Sequence, residues 1–208
     1  MPSGRRYVGT SVRPVVLAIT GASGAPYAVR LLAVLAKNGV PVWLIVSGHG
    51  WRLLKEECGI ADESTLRKAT GPWRKVELLP DSDRGAAAAS GSRKTAGMVI
   101  CPCSMGTVAA VAHGTSRSLV ERAADVTLKE GRKLILVPRE TPLSLVHLRN
   151  LTAAAEAGAT ILPAAPGFYH RAETVSELVD FIVQRVLDQL DLDIDIAPRW
   201  GKAVSREP

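Results

Sequence analysis

The sequence predicts one α/β domain with a Rossmann-like, doubly wound parallel sheet and helices on both faces. Short apolar runs alternate with amphipathic segments along the chain, and the runs are continuous in Val, Ile and Leu. Continuous apolar strands are typical of a parallel sheet that is buried on both faces. The 208 residues are enough for one such domain with a substantial core and too few for a second full domain.

The strands and helices are predicted in alternation. Strands are expected at 15–19, 42–46, 98–101, 134–137 and 160–162. Helices are expected at 26–37, 50–57, 105–112, 119–129, 143–157 and 175–190, the last with apolar residues at i, i+3 and i+4. Residues 58–92 are less regular, and no element is assigned to them.

The ends of the chain are expected to lie outside this domain. Residues 1–13 are predicted to form a flexible leader, 14–192 the folded domain, and 193–208 an irregular tail whose Trp200 packs on another surface. Arg5 and Arg6 resemble a twin-arginine export signal, but no long apolar run follows them. No stretch is long enough to span a bilayer. A cytoplasmic protein without a membrane partner is therefore expected.

The charge, aromatic content and cysteine count of the chain indicate which kinds of ligand it binds. The formal net charge is +6, yet no Lys/Arg run forms a stripe, and aromatic residues make up only 4%. Nucleic acid is therefore not expected, whereas a small phosphorylated ligand fits the cationic excess. Cys58, Cys101 and Cys103 provide neither a disulfide framework nor a zinc site, so no metal is expected, and Cys101 and Cys103 are interpreted as small buried residues.

Two loops after predicted strands can bind phosphate. The segment from Thr20 to Pro26 is rich in glycine and opens a helix, where free backbone N–H groups attract anions. A plain glycine turn remains an alternative, because the spacing matches neither GxGxxG nor a P-loop. The segment from Cys101 to Thr107 also opens a helix, and Ser104 there could be only an N-cap. Two such loops at one sheet edge favour a mononucleotide site.

Two further loops follow the later strands. Arg139 and Glu140 stand between prolines, where Arg139 suits a phosphate or a flavin carbonyl and Glu140 suits proton transfer. A surface ion pair is the alternative. The last loop, with two prolines and a glycine, positions Tyr169 to hydrogen-bond a ligand, although packing alone would also account for it.

These segments, taken together, resemble the UbiX-type flavin prenyltransferases. The similarity runs from about Val15 to Trp200 and is carried by TGASGAPYAVRLL, VICPCSMGT, ERAADVTLKE, KLILVPRETPLSLVHL, ILPAAPGFYH and PRWG. The resemblance implies a Rossmann-like flavoprotein, usually a homododecamer. Members join the dimethylallyl group of dimethylallyl phosphate to N5 and C6 of reduced FMN, and the prenylated FMN serves a UbiD-type decarboxylase.

The resemblance also implies roles for particular residues. FMN contacts are expected from Gly21, Ala22, Ser23, Ser47, Ser104, Met105, Gly106, Thr107 and Arg139. Prenyl-substrate contacts are expected from Ser90, Gly91, Lys129, Tyr169 and Arg185, and the catalytic set is Ser23, Glu57, Glu140 and Lys129. Lys129, Arg185 and the Tyr169 hydroxyl would stabilise the charge of the leaving phosphate. Without the resemblance, the sequence pattern would indicate only that Lys129 and Arg185 are solvated cations on helices.

Some positions depart from the family pattern, and other functions remain open. Ser118 replaces a usual Asn, Gly131 a frequent Arg, and Arg84 an aromatic residue of some relatives, which affects the expected prenyl-donor preference. An FMN-dependent cysteine decarboxylase would need a catalytic His, for which His113 is the candidate, and a PxMNxxMW-like loop that the sequence lacks. A non-catalytic flavin carrier would not need Lys129, Tyr169 and Arg185. A nicotinamide-dependent reductase would need GxGxxG and an acidic ribose ligand.

Overall fold

The computed structural model describes residues 13–169 and 171–197. Residues 1–12 of the predicted leader, His170, and the tail from 198 onward with Trp200 lie outside the described residues. None of the described helices is both long and apolar enough to cross a membrane.

A single parallel sheet organises the described chain. Its six strands are ordered β3-β2-β1-β4-β5-β6, which is the order of a doubly wound Rossmann-like fold. The strands are β1 (Val15–Ile19), β2 (Val42–Val46), β3 (Val76–Pro80), β4 (Gly97–Cys103), β5 (Leu134–Pro138) and β6 (Thr160–Ile161). Every residue of β1, β4 and β5 is buried, as continuous apolar runs predict for central strands. The predicted fold class is confirmed.

Helices cover both faces of this sheet. They are α1 (Ala25–Lys37), α2 (Gly48–Cys58), α3 (Glu63–Thr70), α4 (Met105–Ala112), α5 (Leu119–Lys129), α6 (Leu145–Glu156) and α7 (Val175–Gln189). Helices α1, α2, α3 and α7 pack on one face and α4, α5 and α6 on the other, so each face has its own apolar core. The six predicted helices are all present, with ends that differ by at most two residues.

Two elements in residues 58–92 carry too little apolar pattern to be predicted. Helix α3 buries only Leu66 and Thr70, and its Asp62 N-cap forms a capping box with Thr65. Strand β3 is at the edge of the sheet, and only Val76 and Leu79 are buried. An edge strand and a short surface helix bury few side chains, so the usual periodicities are weak in both.

Strand β4 contains an irregularity beside the crevice at the middle of the sheet. Ile100 pairs with Leu136, but Cys103 pairs with Pro138, so β4 has one residue more than β5 between these pairs. Extra residues of this kind bend a strand and re-aim the side chains that follow. The shift precedes Ser104 directly and sets the direction of the loop after β4.

The described residues after α7, which end at residue 197, lie on the protein although they form no helix or strand. The Gln184 side chain donates to the carbonyl of Ile194 at 3.0 Å and accepts the N–H of Ile196 at 2.7 Å. Leu192, Ile194 and Ile196 pack against the core. Residues 193–197 are therefore irregular and attached; the boundary predicted at residue 192 stays a prediction.

Candidate functional site

The loops after β1 and β4 meet at the point where the strand order reverses. The buried Thr20 hydroxyl donates to the carbonyl of Pro102 at 2.9 Å and accepts the backbone N–H of Ser104 at 2.9 Å. Strands β1 and β4 are neighbours in the sheet. Ligands of doubly wound folds bind in the crevice at the carboxyl ends of such strands. The expected convergence of the two loops is therefore present.

Three helices begin around a cleft of about 510 Å³ at this edge. Their N-caps are Ser47 for α2, Ser104 for α4 and Ser118 for α5, and each serine hydroxyl accepts an N–H of its own helix. A helix start carries roughly half a positive charge, and its unpaired N–H groups bind anions. Ser104 is thus an N-cap, as the simpler interpretation held, and it also borders the cleft.

Close backbone packing forms one wall of the cleft. A Cβ atom on Gly21 would lie 2.5 Å from the Cβ of His49, and one on Gly50 would overlap the carbonyl oxygen of Ile19. Any side chain at either position would therefore push α2 away from β1. The glycines let the first turn of α2 stand directly over the loop that follows β1.

The predicted FMN contacts lie together at this carboxyl edge. Arg139 follows β5, and its Nε donates to the carbonyl of Ser23 at 3.2 Å, which joins the β5 loop to the β1 loop. The others either line the cleft or continue its loops: Gly21, Ser47, Ser104 and Thr107 line it, Ala22 and Ser23 extend the β1 loop, and Met105 and Gly106 form the first turn of α4. The geometry thus groups all nine residues.

The structure differs from expectation at the start of α1. The backbone N–H groups of Gly24 and Ala25 donate to Oε2 of Glu57 at 2.9 and 2.8 Å. These amides were expected to be free for a ligand phosphate, and a carboxylate from the end of α2 already occupies them. The N–H groups of Leu119 and Val120 at the start of α5 likewise donate to Asp81, so the helix starts left open to an anion at the cleft are those of α2 and α4.

Glu140 is more open to solvent than the proton-transfer hypothesis assumed. It is exposed, and its Oε1 accepts the N–H of Thr141 at 3.1 Å. It makes no ion pair with Arg139, since Arg139 donates to Ser23 instead. The alternative of an Arg139–Glu140 surface pair is therefore not what the structure contains.

Lys129 lies far from the cleft within its own chain. It is the last residue of α5, and its Nζ lies 2.5 Å from Oε1 of Glu130. The predicted loop of Ser90 and Gly91 meets it there: a Cβ on Gly91 would lie 3.0 Å from the Lys129 Nζ. Helix α5 begins at the cleft and has 11 residues, so about 16 Å of helix separates Lys129 from that end.

Tyr169 and Arg185 lie together at a third location. The Tyr169 ring meets Phe181 of α7 edge-on at a centroid distance of 5.7 Å, and Arg185 is one turn further along the same helix. Arg185 lines a hollow of about 280 Å³ beside β6 and pairs with Asp188 at 2.9 Å. Helices α7 and α5 cover opposite faces of the sheet. One chain therefore does not bring Lys129 to Tyr169 and Arg185.

Sequence reasoning missed several residues of the cleft. His49 and Arg52 of α2 line it, and Arg52 pairs with Glu56 at 2.7 Å. Asp81 lines it from the end of β3 and accepts the N–H of Val120 at 3.0 Å through its carboxylate. These residues belong to no motif. Asp81 was overlooked because β3 itself was not predicted, although a polar turn after an apolar pair is a usual strand-end signal.

The remaining candidate groups are either buried thiols or lie away from the cleft. Burial raises the pKa of the Cys101 thiol to about 12 and that of Cys103 further, so neither is a nucleophile at neutral pH, and their interpretation as buried packing residues is confirmed. His113 is the C-cap of α4, and its Nε2 lies 3.2 Å from Oδ1 of Asn150. It is therefore at the opposite end of α4 from the cleft.

Comparisons with known proteins agree with this geometry. The flavoprotein family model matches residues 6–187. A flavin prenyltransferase UbiX from Synechocystis sp. is 46% identical over 204 residues, which cover 94% of this chain and 99% of the relative.

Two solved structures share the fold over almost the whole chain. A UbiX protein crystallised with FMN and dimethylallyl pyrophosphate is 39% identical with a TM-score of 0.84, covering 91% of this chain and 97% of that one. A dodecameric FMN-dependent UbiX-like decarboxylase from Escherichia coli O157:H7 is also 39% identical, with a TM-score of 0.82 and coverage of 90% and 98%. The chain belongs to the flavoprotein family and, within it, to the UbiX-type flavin prenyltransferases.

Proposed function

We propose that this protein transfers the dimethylallyl group of dimethylallyl phosphate to N5 and C6 of reduced FMN and releases prenylated FMN. The observation that carries the proposal is the cleft between β1 and β4, where three serine-capped helix starts surround the residues expected to bind FMN. The starts of α2 and α4 supply N–H donors and a positive potential for the FMN phosphate, whereas Asp81 already accepts the N–H groups of Leu119 and Val120 at the start of α5.

The remaining residues of this edge suit the rest of the flavin. The Ser47, Ser104 and Thr107 side chains offer hydroxyls next to the helix starts, and Ser104 and Thr107 already bond to each other at 2.9 Å. Arg139, tied to Ser23, presents a fixed cation at the same edge. Reduced FMN supplies the nucleophilic nitrogen of the reaction when it is bound. The protein positions the reduced FMN and binds the leaving phosphate.

The leaving phosphate needs cations that one subunit does not place at its own cleft. Lys129, Tyr169 and Arg185 are assigned to it by family resemblance, and in this chain they lie on two faces of the sheet. We therefore infer that neighbouring subunits complete each pocket in a homododecamer, the assembly of the E. coli relative. A single charge-assisted contact of this kind contributes on the order of 2–4 kcal/mol to lowering the barrier.

Exposed apolar side chains support such an assembly. Leu145, Val146 and Leu148 at the start of α6, Phe168, and Val175 at the start of α7 are all between 48% and 74% exposed. Apolar surface of this extent on a soluble protein usually marks a contact with another protein. Phe168 is directly adjacent to Tyr169, so a contact there would also enclose a residue of the proposed prenyl pocket.

The candidates for proton transfer during ring closure are Glu140, Glu57 and the departing phosphate itself, and Ser23 belongs to the catalytic set that the family resemblance implies. Glu140 is exposed in one subunit and becomes suited to this role when a neighbouring subunit covers it. The product is proposed to serve a UbiD-type decarboxylase in the cytoplasm, in line with the family resemblance. The departures at Arg84, Ser118 and Gly131 bear on the donor rather than on the type of reaction.

The test is anaerobic incubation of the protein with reduced FMN and either dimethylallyl phosphate or dimethylallyl pyrophosphate, followed by mass analysis of the flavin. A dimethylallyl adduct is expected, with the monophosphate as the better donor. Bound but unmodified FMN with both donors would identify a flavin carrier. In a separate incubation with oxidised FMN and a peptide that ends in cysteine, decarboxylation of the peptide with reduction of the flavin, together with no adduct in the first incubation, would identify the cysteine decarboxylase activity instead.

A further inference from the structure

A second hollow lies at the opposite edge of the sheet from the flavin cleft. It has a volume of about 790 Å³ and lies between the last turns of α1 and α3. Fourteen residues line it, and five of them are cationic: Arg30, Lys37, Lys68, Arg74 and Lys75. None of the lining residues is acidic. We call this the cationic hollow.

Little in the described structure neutralises these five charges. Arg30 is paired with Asp180 through two contacts of 2.5 and 3.1 Å. No ion pair within residues 13–169 and 171–197 involves Lys37, Lys68, Arg74 or Lys75. Four positive charges are therefore left to face the hollow.

Stabilisation of helix ends does not account for so much charge. Lys37 and Lys68 stand in the last turns of α1 and α3, where cations interact favourably with the helix dipole. Each helix end carries roughly −0.5 of a charge, so the two together offset about one of the four cations. A surplus of about three positive charges remains in one hollow, which is half of the net charge of +6 of the whole chain.

The shape of the hollow favours a compact ligand over a macromolecule. A stable protein interface engages about 20–30 residues on each side. Fourteen lining residues are too few for that, whereas the volume lies within the usual range of about 300–1,000 Å³ for small-molecule pockets. Nucleic acid would need a cationic stripe that continues along the surface, but these charges are confined between two helix ends.

The lining also indicates which part of a ligand is recognised. The lining includes small side chains, among them Ala33, Ala36 and Ala69, and no aromatic residue lines the hollow. Trp73 is nearby, but it is buried and the Arg67 guanidinium covers its ring at 4.6 Å. A nucleobase would thus find no surface for stacking, and the contacts available are charge contacts from Lys and Arg.

We propose that the cationic hollow binds the phosphate chain of a di- or triphosphate, either an inorganic polyphosphate or the phosphate groups of a nucleotide. It is separate from the proposed FMN site, because α1 and α3 end at this edge whereas α2, α4 and α5 begin at the other. Recognition depends on the number of phosphate groups and not on the base.

The test uses the full-length protein loaded with FMN, so that the flavin phosphate site is already filled. Inorganic triphosphate is titrated calorimetrically into the wild type and into a Lys37→Gln, Lys68→Gln, Lys75→Gln variant. We expect binding at one site per chain and a loss of at least about tenfold in affinity in the variant. ATP should bind about as tightly as inorganic triphosphate, and inorganic phosphate much more weakly.

A matched control separates a site from general attraction. Lys55→Gln, Lys94→Gln, Arg149→Gln removes the same total charge from exposed positions outside the hollow and should leave the affinity unchanged. Equal weakening by both triple variants, or no binding to the wild type, would overturn the proposal. Displacement of triphosphate by a duplex DNA at lower phosphate concentration would show a nucleic-acid surface instead. The FMN absorbance spectrum of each variant verifies that the flavin site, and with it the fold, is intact.

Discussion

The hydroxyl of Thr20, a buried residue, accepts the backbone N–H of Ser104 in a part-buried hydrogen bond of 2.9 Å across the centre of the sheet. The same hydroxyl donates to the carbonyl of Pro102. Since Ser104 caps α4 and Thr20 precedes the loop that contains Ser23, one side chain sets the separation of the two loops of the flavin cleft.

Replacing Thr20 with valine should therefore weaken FMN binding. Valine keeps the shape but removes both hydrogen bonds of the hydroxyl, each of which contributes about 0.5–1.5 kcal/mol of stability. We expect FMN affinity, measured by flavin fluorescence titration, to fall by about tenfold. Thr20→Ser should restore it.

Thr127→Val is the matched control for this change. Thr127 is equally buried, and its hydroxyl donates to Ala123 within α5 at 2.7 Å, away from the cleft. Similar losses of FMN affinity in both valine variants would mean that Thr20 acts only through general stability.

Glu57 should contribute to the stability of the loop before α1. Glu57→Gln keeps an acceptor for the N–H groups of Gly24 and Ala25 but removes the charge that interacts with the helix start. The free energy of unfolding should fall by about 1 kcal/mol in chemical denaturation. Glu56→Gln, one residue earlier, loses only an exposed pair with Arg52 and should change stability by less than about 0.5 kcal/mol. An equal effect of the two substitutions would contradict the capping role.

Gly91→Ala should impair prenyl transfer without affecting FMN binding. The added Cβ would overlap Oε1 of Glu130 and lie 3.0 Å from the Nζ of Lys129, so the Lys129–Glu130 pair must move. Steady-state assays should show a raised KM for dimethylallyl phosphate, and fluorescence titration an unchanged FMN affinity. Gly85→Ala is the control, because its Cβ would lie 3.4 Å from Oδ1 of Asp83, which is an ordinary contact. This variant should leave the KM for dimethylallyl phosphate and the FMN affinity unchanged. A normal KM in the Gly91 variant would argue against Lys129 as a substrate contact.

Glu140→Gln should bind FMN normally yet halt the reaction after attachment at N5. The amide keeps the size of the side chain and its acceptor for the Thr141 N–H, but it can no longer exchange a proton. Mass and absorbance of the flavin after anaerobic turnover distinguish attachment at N5 alone from closure at C6. Complete ring closure at the wild-type rate would refute this role.

The three cysteines should differ sharply in reactivity. Cys101 and Cys103 are buried and burial raises the pKa of both thiols, whereas Cys58 is half-buried with a more moderate increase of its pKa by burial. Iodoacetamide at pH 8 should therefore label Cys58 alone, and slowly, in the folded protein, and all three thiols after denaturation, as counted by mass. Rapid labelling of Cys101 in the folded protein would show that β4 opens to solvent.

The sequence was most informative where side chains are buried on both sides. Strands β1 and β2 were predicted with their ends, and so were α4 and α5, because unbroken apolar runs and serine caps mark these elements. The edge strand β3 and helix α3 were missed because each buries only two residues.

The individual loops of the site could be predicted from the sequence, but the relative positions of its distant residues could not. Glycines and serines after β1 and β4 indicated phosphate binding, since the chemistry of a helix start is local. Glu57 accepts N–H groups from Gly24 and Ala25, which precede it by 33 and 32 positions in the sequence. No local sequence pattern predicts a contact over that separation. The position of Lys129 relative to Arg185 depends on which face of the sheet each helix covers, and that is decided by chain topology.

Helix α5 connects the cleft at its Ser118 end with Lys129 at its other end, so in the assembly proposed above each subunit would carry parts of two different pockets. Hybrid oligomers follow as a consequence. When subunits with a Thr20→Val cleft are mixed with subunits that carry Lys129→Gln, some pockets combine an intact cleft with an intact lysine. At an FMN concentration that leaves the Thr20→Val cleft mostly empty, such mixtures should turn over faster than either parent alone, because some pockets contain both unchanged parts.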